Sequence, residues 1–410
     1  MSLIADLKSL EPRQKSAIWA SYLGWTLDAF DFFLLVFMLK AISAEFGTDV
    51  KAVSYAIFLT LAARPFGALF FGLLAERFGR RPILMVVILA FSVFSALSGL
   101  AGSLTQLILI RTMFGFAMGG EWGIGASLVM ETIPPKLRGP VSGLLQSGYP
   151  SGYFVASLVY FALFDTIGWR GMFFVGIAPA LLVFLIRIHV EESPAFVASR
   201  GSPRPNPIVE LARHWKLALY TIILMAAFNA FSHGTQDLYP TFLQQQHCFD
   251  TQLTGTLTAI MNIGAIVGGI TFGTWSEKVG RKRAIICAGL LALPIIPLWA
   301  FSSTPVLLGI GGFLMQFALQ GAWGVVPVHL NELSPGAVRA MFPRFAYQLG
   351  NLLMAKNAVF QAGIAEDRGG DYGFALALFA GVTAIVIAIW TAFGPERKHA
   401  DLGGAKLVEE

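Results

Sequence analysis

The sequence predicts an all-α membrane protein whose transmembrane helices form two six-helix halves. Three observations lead to this prediction: the composition is strongly apolar, long apolar runs recur along the chain, and sequence landmarks repeat at one constant spacing. Hydrophobic residues make up 56% of the 410 residues, charged residues only 13%, and the mean hydropathy is +0.67. Soluble domains typically carry about 25% charged residues, so this composition indicates a chain that faces lipid.

The apolar runs are long enough to cross a bilayer, since about 18 or more apolar residues in sequence indicate a transmembrane helix. Twelve such runs lie at about 16–40, 52–75, 82–101, 105–130, 140–163, 170–189, 217–244, 253–275, 283–302, 305–330, 343–365 and 372–394. The first run is too long for a cleaved signal peptide and contains Asp28 and Asp31.

The positive charges indicate the topology. With both termini in the cytoplasm, most of the 29 lysines and arginines fall in inner loops and tails. The outer loops then hold only Lys40, Lys51, Arg170 and Arg368. This asymmetry follows the positive-inside rule, so the net charge of +5 reflects membrane topology and no nucleic-acid partner is expected.

An internal repeat divides the chain. Gly72–Arg81 (GLLAERFGRR) matches Gly273–Lys282 (GTWSEKVGRK) at an offset of 201 residues. The same offset relates Trp122 to Trp323, Glu131 to Glu332, Pro134 to Pro335 and Arg138 to Arg339. The repeat therefore predicts an N-terminal half at 1–189, a cytoplasmic linker at 190–216, a C-terminal half at 217–394 and a cytoplasmic tail at 395–410.

Several classes of protein do not fit this sequence. Cys248 and Cys287 are far apart and lack metal-ligand spacing, so neither a disulfide nor a metal site is expected. The chain has no Walker loop, which argues against direct coupling to ATP, and it shows no catalytic constellation. We therefore expect no cofactor and no enzyme activity.

Several sequence motifs of the chain resemble those of a known family. The loop Gly72, Glu76, Arg77, Gly79, Arg80 and Arg81 is similar to the signature loop of the major facilitator superfamily. The run Arg111-x-x-x-Gly115-x-x-x-Gly119 and the segment Glu191–Pro194 resemble its sugar-porter-like members. The resemblance extends over about residues 16–397 and implies alternating access between the two halves.

Charged residues at the predicted cytoplasmic helix ends form a candidate conformational latch. A latch that joins the halves in the outward-facing state must break as they rock, which suits ion pairs of moderate strength. The alternative is simple anchoring of positive charge at the inner surface. The candidate latch consists of Glu76, Arg80, Arg81, Glu131, Arg138, Glu277, Arg281, Glu332 and Arg339.

Ionisable residues inside the spans need an explanation, because each costs about 2.5–3.5 kcal/mol at the bilayer centre. Asp28 and Asp31 lie three residues apart on one helical face, and two close carboxylates in a low dielectric rarely ionise together. They are candidate proton carriers, or else partners in helix packing. Arg64 could bind a substrate carboxylate at two points or pair with Asp28. Glu121 could join proton movement, although a packing hydrogen bond is the plainer interpretation.

Span seven has the most distinctive polar pattern. Asn229, His233 and Asp237 are spaced four residues apart and therefore share one helical face. The pattern from Asn229 to Thr241 resembles span seven of the fungal Jen-type monocarboxylate permeases, of the sialate:proton symporter family. That resemblance implies substrate binding and proton coupling for these three residues. It also implies a substrate contact for Gln348 in span eleven, where Lys356 is expected to extend toward the outer interface.

The sequence therefore predicts a proton-coupled importer of lactate and pyruvate in a bacterial-type inner membrane, working as a monomer. Arg64, Asn229, His233 and Gln348 are expected to bind substrate. Asp28, Asp31, His233, Asp237 and Glu121 are the proton-coupling candidates. The alternatives are a sialic acid:proton symporter, a drug:proton antiporter that would not need Arg64, and a membrane sensor that binds its ligand without moving it.

Overall fold

The computed structural model describes residues 10–133, 137–181, 186, 190–192, 213–334 and 342–397. Within these ranges the chain is helical and contains no strand. Eight helical segments of the described chain are long and apolar enough to cross a membrane. They correspond to predicted spans two, three, five, seven, eight, nine, ten and twelve.

The described N-terminal part of the chain forms seven helices. They are α1 Pro12–Glu45, α2 Val50–Phe78, α3 Arg80–Ser98, α4 Leu104–Met118, α5 Glu121–Thr132, α6 Arg138–Gln146 and α7 Gly148–Val175, which is interrupted at Gly168. The C-terminal helices are α8 Trp215–Gln236, α9 Tyr239–Gln245, α10 Thr251–Val279, α11 Arg281–Leu291, α12 Ile296–Ala300, α13 Pro305–Leu333, α14 Phe342–Met354, α15 Asn357–Asp367 and α16 Tyr372–Phe393.

Several predicted spans differ from a single apolar helix. Span one belongs to α1, whose 34 residues include Asp28 and Asp31. Breaks interrupt span four between α4 and α5, span five between α6 and α7, span seven between α8 and α9, span nine between α11 and α12, and span eleven between α14 and α15. Span six continues into residues outside the described ranges. The apolar runs alone did not reveal these breaks.

The repeat offset of 201 residues recurs in the helix boundaries. α2 and α10 are both 29 residues long, and their N-caps, Asp49 and Asp250, accept hydrogen bonds from Ala52 N and Leu253 N at 2.6 and 2.7 Å. Each cap satisfies a backbone N–H that the first helical turn leaves without a partner. Both helices end at a glycine with positive φ, Gly79 at 107° and Gly280 at 98°. A residue with a side chain rarely adopts that conformation.

Close glycine contacts fix the position of α2 against α4. A Cβ added at Gly119 would lie 2.0 Å from the Arg64 carbonyl oxygen, and one at Gly115 would lie 2.0 Å from the Thr60 carbonyl oxygen. The Thr60 hydroxyl also donates to the Arg111 carbonyl at 2.9 Å. The Arg-x-x-x-Gly-x-x-x-Gly pattern therefore brings two backbones into contact, as small residues do between membrane helices. This contact places Arg64 at the break between α4 and α5.

Gly67 gives a test of this packing. A Cβ at Gly67 would lie 1.7 Å from the Phe116 carbonyl oxygen, so Gly67→Ala must push α2 away from α4. Overpacking of this kind typically costs about 1–3 kcal/mol. We expect a clearly lower Tm for the purified protein in detergent. Gly143→Ala is the matched control, because nothing lies within 4 Å of a Cβ there. Equal Tm values for the two variants would contradict the close contact.

Candidate functional site

Five charged side chains lie buried within the described N-terminal helices. They are Asp28 and Asp31 on α1, Arg64 on α2, Arg111 on α4 and Glu121 at the start of α5, and none is more than 1% exposed. The structure therefore places close together these charged residues, which come from different predicted spans. The five separate into two groups, which differ in how many of their polar atoms have a hydrogen-bond partner.

Asp31 and Arg111 form the group that makes hydrogen bonds to neighbouring helices. The Ser95 hydroxyl donates to Asp31 Oδ1 at 3.2 Å, and Arg111 Nη2 donates to the Asp31 backbone oxygen at 3.4 Å. The Arg111 guanidinium carbon lies 3.8 Å from the Phe114 ring centroid. These contacts link α1, α3 and α4, so a role in packing accounts for much of this group.

Arg64, Asp28 and Glu121 form the second group, which we call the inner charge cluster. Asp28 and Glu121 are close enough to Arg64 for their charges to interact with it. Yet all three Arg64 nitrogens, both Asp28 carboxylate oxygens and both Glu121 carboxylate oxygens have no hydrogen-bond partner among the described residues. Buried charges without hydrogen bonds are costly. The expected direct pairing of Asp28 with Arg64 is therefore absent from this part of the chain as a hydrogen bond.

The charges of the two groups do not balance when every group is ionised. Two arginines face three carboxyl groups, which leaves one excess negative charge in a low-dielectric interior. Binding one proton on any of the three acids makes the set neutral. An additional anion on Arg64 would restore the excess and favour a second proton.

A small cavity lies beside Glu121. Its volume is about 20 Å³, and its lining includes Ser21, Trp25, Glu121 and Gly125. That volume accommodates roughly one water molecule. Gly24 leaves space next to the carboxylate, since a Cβ there would lie 2.5 Å from Glu121 Oε1. Glu121 thus borders a space that is large enough for one water molecule.

The span-seven residues lie on α8 and at its end. His233 Nδ1 is 3.1 Å from both carboxylate oxygens of Asp237, and both side chains are buried. The ring of Phe32, one turn beyond Asp28 on α1, meets the His233 ring edge-on at a centroid distance of 5.7 Å. Asn229 Nδ2 donates to the Met225 carbonyl at 2.9 Å and reaches the Tyr347 carbonyl at 3.5 Å.

A polar network extends from this helix to α13. Gln236 Nε2 donates to Gln316 Oε1 at 2.8 Å, and Gln316 Nε2 donates to Thr235 Oγ1 at 3.1 Å. The Ser232 hydroxyl donates to Gln236 Oε1 at 3.1 Å. Gln316 is not among the site residues predicted above, although a glutamine in an apolar span, at the repeat position of Gly115, was a usable signal.

Gln348 connects the C-terminal helices to the inner charge cluster. Its Nε2 donates to the Gly119 carbonyl at 3.4 Å, and Gly119 itself packs on the backbone of Arg64. The neighbouring Tyr347 ring lies 5.8 Å from the Arg64 guanidinium carbon. Arg64 and Gln348, predicted to bind the same substrate, therefore meet at the junction of the two sets of helices. Lys356 is exposed, and its ammonium lies 5.3 Å from the Phe58 ring.

Hydrogen bonds also join the two sets of helices on their predicted outer side. Lys40 Nζ donates to the Gln244 carbonyl at 3.2 Å, and Gln244 Nε2 donates to the Tyr160 hydroxyl at 2.9 Å. The Tyr153 hydroxyl donates to the Gln236 carbonyl at 3.2 Å. Together with the burial of the site residues, these bonds describe a conformation in which the two sets of helices are in contact on the predicted outer side.

The candidate latch is described only in part. Arg281 binds Glu332 at 3.0 Å and Glu277 at 2.8 Å, which joins α11, α13 and the end of α10 within the C-terminal helices. Glu396 accepts from the Arg281 backbone N–H at 2.6 Å, and Glu192 accepts from those of Arg80 and Arg81 at 3.0 and 3.2 Å. The side chains of Glu76, Glu131 and Arg138, and the whole of Arg339, lie outside the described residues.

Comparison with known proteins identifies the relatives of this chain. The family model described as "Sugar (and other) transporter" matches residues 17–204 and 217–398. A probable 4-methylmuconolactone transporter of Cupriavidus pinatubonensis is 32% identical, over 87% of this chain and 85% of its own length. The sialic acid transporter NanX of Escherichia coli is 30% identical, over 91% of both chains. A carboxylic acid transporter protein homolog of Saccharomyces cerevisiae is 28% identical, over 97% of this chain and 71% of its own length.

The fold also matches a solved transporter. The xylose transporter XylE from E. coli, in a partially occluded inward-open conformation, superposes with a TM-score of 0.73. The match extends over 95% of this chain and 99% of that chain, at 16% sequence identity. At this identity the likeness establishes the fold alone, which is the all-α fold that the sequence predicted.

Proposed function

Because the chain belongs to the sugar (and other) transporter family of the major facilitator superfamily, and is a multi-pass membrane transporter rather than an enzyme, we propose that it imports small monocarboxylates such as lactate and pyruvate together with protons. The observation that carries this proposal is Arg64. It is a buried cation with no hydrogen-bond partner among the described residues, and it lies where the two sets of helices meet. A carboxylate is the anion that a guanidinium binds at two points with charge-assisted hydrogen bonds.

The remaining site residues are suited to the polar oxygens of the substrate. Gln348 reaches the backbone beside Arg64, and Asn229 reaches the backbone of Tyr347, so their amides lie near the same junction. His233 can donate from one ring nitrogen while Asp237 binds the other. In this proposal the halves at 1–189 and 217–394 rock about the substrate, and the candidate latch at the inner helix ends breaks in each cycle.

Proton coupling follows from the charge of the site. Among the five buried charged residues of the N-terminal helices, three carboxyl groups face two arginines, so this set is neutral when it holds one proton. A bound monocarboxylate adds one negative charge, and a second proton restores neutrality. One anion and one proton then cross together without net charge. Asp28 or the His233–Asp237 pair carries the coupled proton, with Asp31 and Glu121 as the neighbouring acids.

The names of the relatives support an acidic substrate. Sialic acid and the substrates of the yeast carboxylic acid transporter homolog carry a carboxyl group, and these two relatives match 91% and 97% of this chain. A bacterial-type inner membrane and a monomeric functional unit complete the proposal.

Uptake by proteoliposomes tests this function. We expect radiolabelled lactate to accumulate when the outside is more acidic than the lumen, with the external medium becoming more alkaline as lactate enters. A membrane potential alone is expected to have little effect, because no net charge moves. Lactate uptake that follows a sodium gradient and ignores the pH gradient would contradict the proposal.

A sialic acid:proton symporter is the second candidate. The Ser232, Thr235, Gln236 and Gln316 network favours it, because a polyhydroxylated acid needs several hydrogen-bonding partners beyond the carboxylate site. Competition distinguishes the two candidates. If unlabelled sialate suppresses uptake of labelled lactate at lower concentration than unlabelled pyruvate does, sialate is the better substrate.

A further inference from the structure

Aromatic rings from both halves surround the inner charge cluster. Trp25 on α1 packs against Tyr149 and Trp122 at centroid distances of 5.2 and 6.3 Å. On the opposite side, Tyr347 on α14 packs against Trp323 on α13 at 5.9 Å. The two groups touch through Trp122 and Tyr347, whose centroids are 4.9 Å apart with a 40° angle between the rings. This contact joins the N-terminal and C-terminal helices next to the site.

The guanidinium of Arg64 lies near two of these rings. Its central carbon is 5.9 Å from the Trp25 centroid and 5.8 Å from the Tyr347 centroid, so the cation interacts with π-systems from both halves. Both rings also contact Trp122. A carboxylate that binds Arg64 would therefore have its carbon skeleton close to aromatic rings, which favours a flat substrate.

Two hydrogen-bond donors of these aromatic side chains have no partner. The indole Nε1 atoms of Trp25 and Trp323 are buried and are without a hydrogen-bond acceptor among the described residues. Trp25 is 3% exposed and Trp323 is 5% exposed. A buried tryptophan N–H usually finds an acceptor, and leaving it unpaired costs free energy. A substrate with a second acceptor, remote from its carboxylate, would satisfy one of them.

We propose that the preferred substrates of this site are flat, conjugated or aromatic monocarboxylates that carry a second hydrogen-bond acceptor. The inference rests on the proposed carboxylate transport and refines its substrate class. The carboxylate binds Arg64, the π-system inserts between Trp122 and Tyr347 once their direct contact opens, and an indole N–H of Trp25 or Trp323 donates to the remote acceptor.

The need to separate the halves supports this assignment. The Trp122–Tyr347 contact joins the two halves, so rocking must break it in every cycle. Contact between two aromatic rings stabilises their packing by more than the burial of their apolar surface alone. A flat substrate between the rings would preserve stacking on both faces while the halves move apart, whereas lactate offers no π-face.

Matched ligands test the proposal by binding to purified protein in detergent. No pH gradient is used, since benzoic acid crosses bilayers and would dissipate one. Benzoate and cyclohexanecarboxylate have similar size and the same charge, but only benzoate is flat. We expect benzoate to bind about tenfold tighter, as stacking on two rings implies, and nicotinate, which adds a ring acceptor, to bind tighter still. Equal affinities for benzoate and cyclohexanecarboxylate would overturn the inference.

Single substitutions show which aromatic rings produce the preference for benzoate. Trp122→Leu is expected to abolish the preference for benzoate, and Trp122→Phe, which keeps a ring, to retain most of it. Trp299→Phe is the control, because Trp299 stacks on Tyr239 at 5.6 Å in the C-terminal helices and has no part in the site. A benzoate preference that survives in Trp122→Leu would show that the rings at Arg64 do not produce it.

The same measurements separate failure of this inference from failure of the proposed function. If lactate and pyruvate bind and benzoate has no advantage over cyclohexanecarboxylate, the refinement is wrong and carboxylate transport stands. If no carboxylate binds to the folded protein, the proposed function itself is wrong.

Discussion

Arg64→Gln is expected to reduce carboxylate uptake to the background of empty liposomes. The variant removes the unpartnered cation at the junction of the halves, so a bound carboxylate would remain in a low-dielectric site without a counter-charge. Loss of a two-point charge-assisted interaction weakens binding at least about a hundredfold. The measurement is the concentration dependence of lactate uptake, together with lactate binding in detergent.

Two further variants make the Arg64 result specific. Arg64→Lys keeps the positive charge but loses the two-point geometry, and we expect weak, measurable uptake from it. Arg13→Gln removes an exposed arginine that pairs with Glu11 at 3.0 Å, and it should transport normally. If Arg64→Gln folds and still takes up lactate with unchanged affinity, the anion site lies elsewhere and the proposed function loses its main support.

Asp28→Asn is expected to separate substrate movement from proton movement. The amide has nearly the shape of the carboxyl group but cannot ionise, so the variant resembles a site that is permanently protonated. Counterflow, in which labelled lactate exchanges for unlabelled lactate, needs no net proton transfer and should continue. Accumulation driven by a pH gradient should fall to the level of simple equilibration.

The neighbouring acids serve as comparisons for Asp28. Glu121→Gln removes the carboxylate that borders the small cavity, and its effect on pH-driven uptake shows whether Glu121 relays the proton. Asp31→Asn keeps an oxygen that can accept from the Ser95 hydroxyl, and it leaves in place the backbone oxygen that accepts from Arg111 Nη2. The change weakens the side-chain contact, so a packing role predicts lower stability with coupling intact. If Asp28→Asn still accumulates lactate from a pH gradient, the carrier is one of the other acids, with the His233–Asp237 pair as the first to examine.

The sequence predicted the fold because membrane helices depend on local composition. The predicted spans follow from apolar length, and the repeat at 201 residues follows from loop motifs that recur as matching caps at Asp49 and Asp250. The same local reasoning failed at Gly119 and at Ala355, where helices break within continuous apolar runs. An apolar run indicates that a segment lies in an apolar environment, but it does not show where the helix breaks.

The candidate site was predictable to the extent that charge in an apolar span is conspicuous. Asp28, Arg64, Glu121 and His233 stood out for this reason, and the structure buries all four. Trp122 entered the prediction only as a repeat landmark, and Trp25 was not singled out, since aromatic residues are common in apolar helices. Their relation to Arg64 depends on how α1, α2 and α14 pack together, and no short-range pattern encodes that.

The close backbone contact between α2 and α4 has a consequence for the electric field that a substrate experiences. Gly115 and Gly119 hold the backbone of Arg64 and Thr60 at van der Waals distance, so the two helices must move as one body. In the proposed cycle, a carboxylate bound to Arg64 would keep its depth in the membrane while the opposite half turns around it. The part of the protein that blocks the pathway would move from one side of the bound ion to the other, while the ion itself would stay at the same depth in the membrane potential. Transport of this kind carries little gating charge, and its rate should depend weakly on voltage.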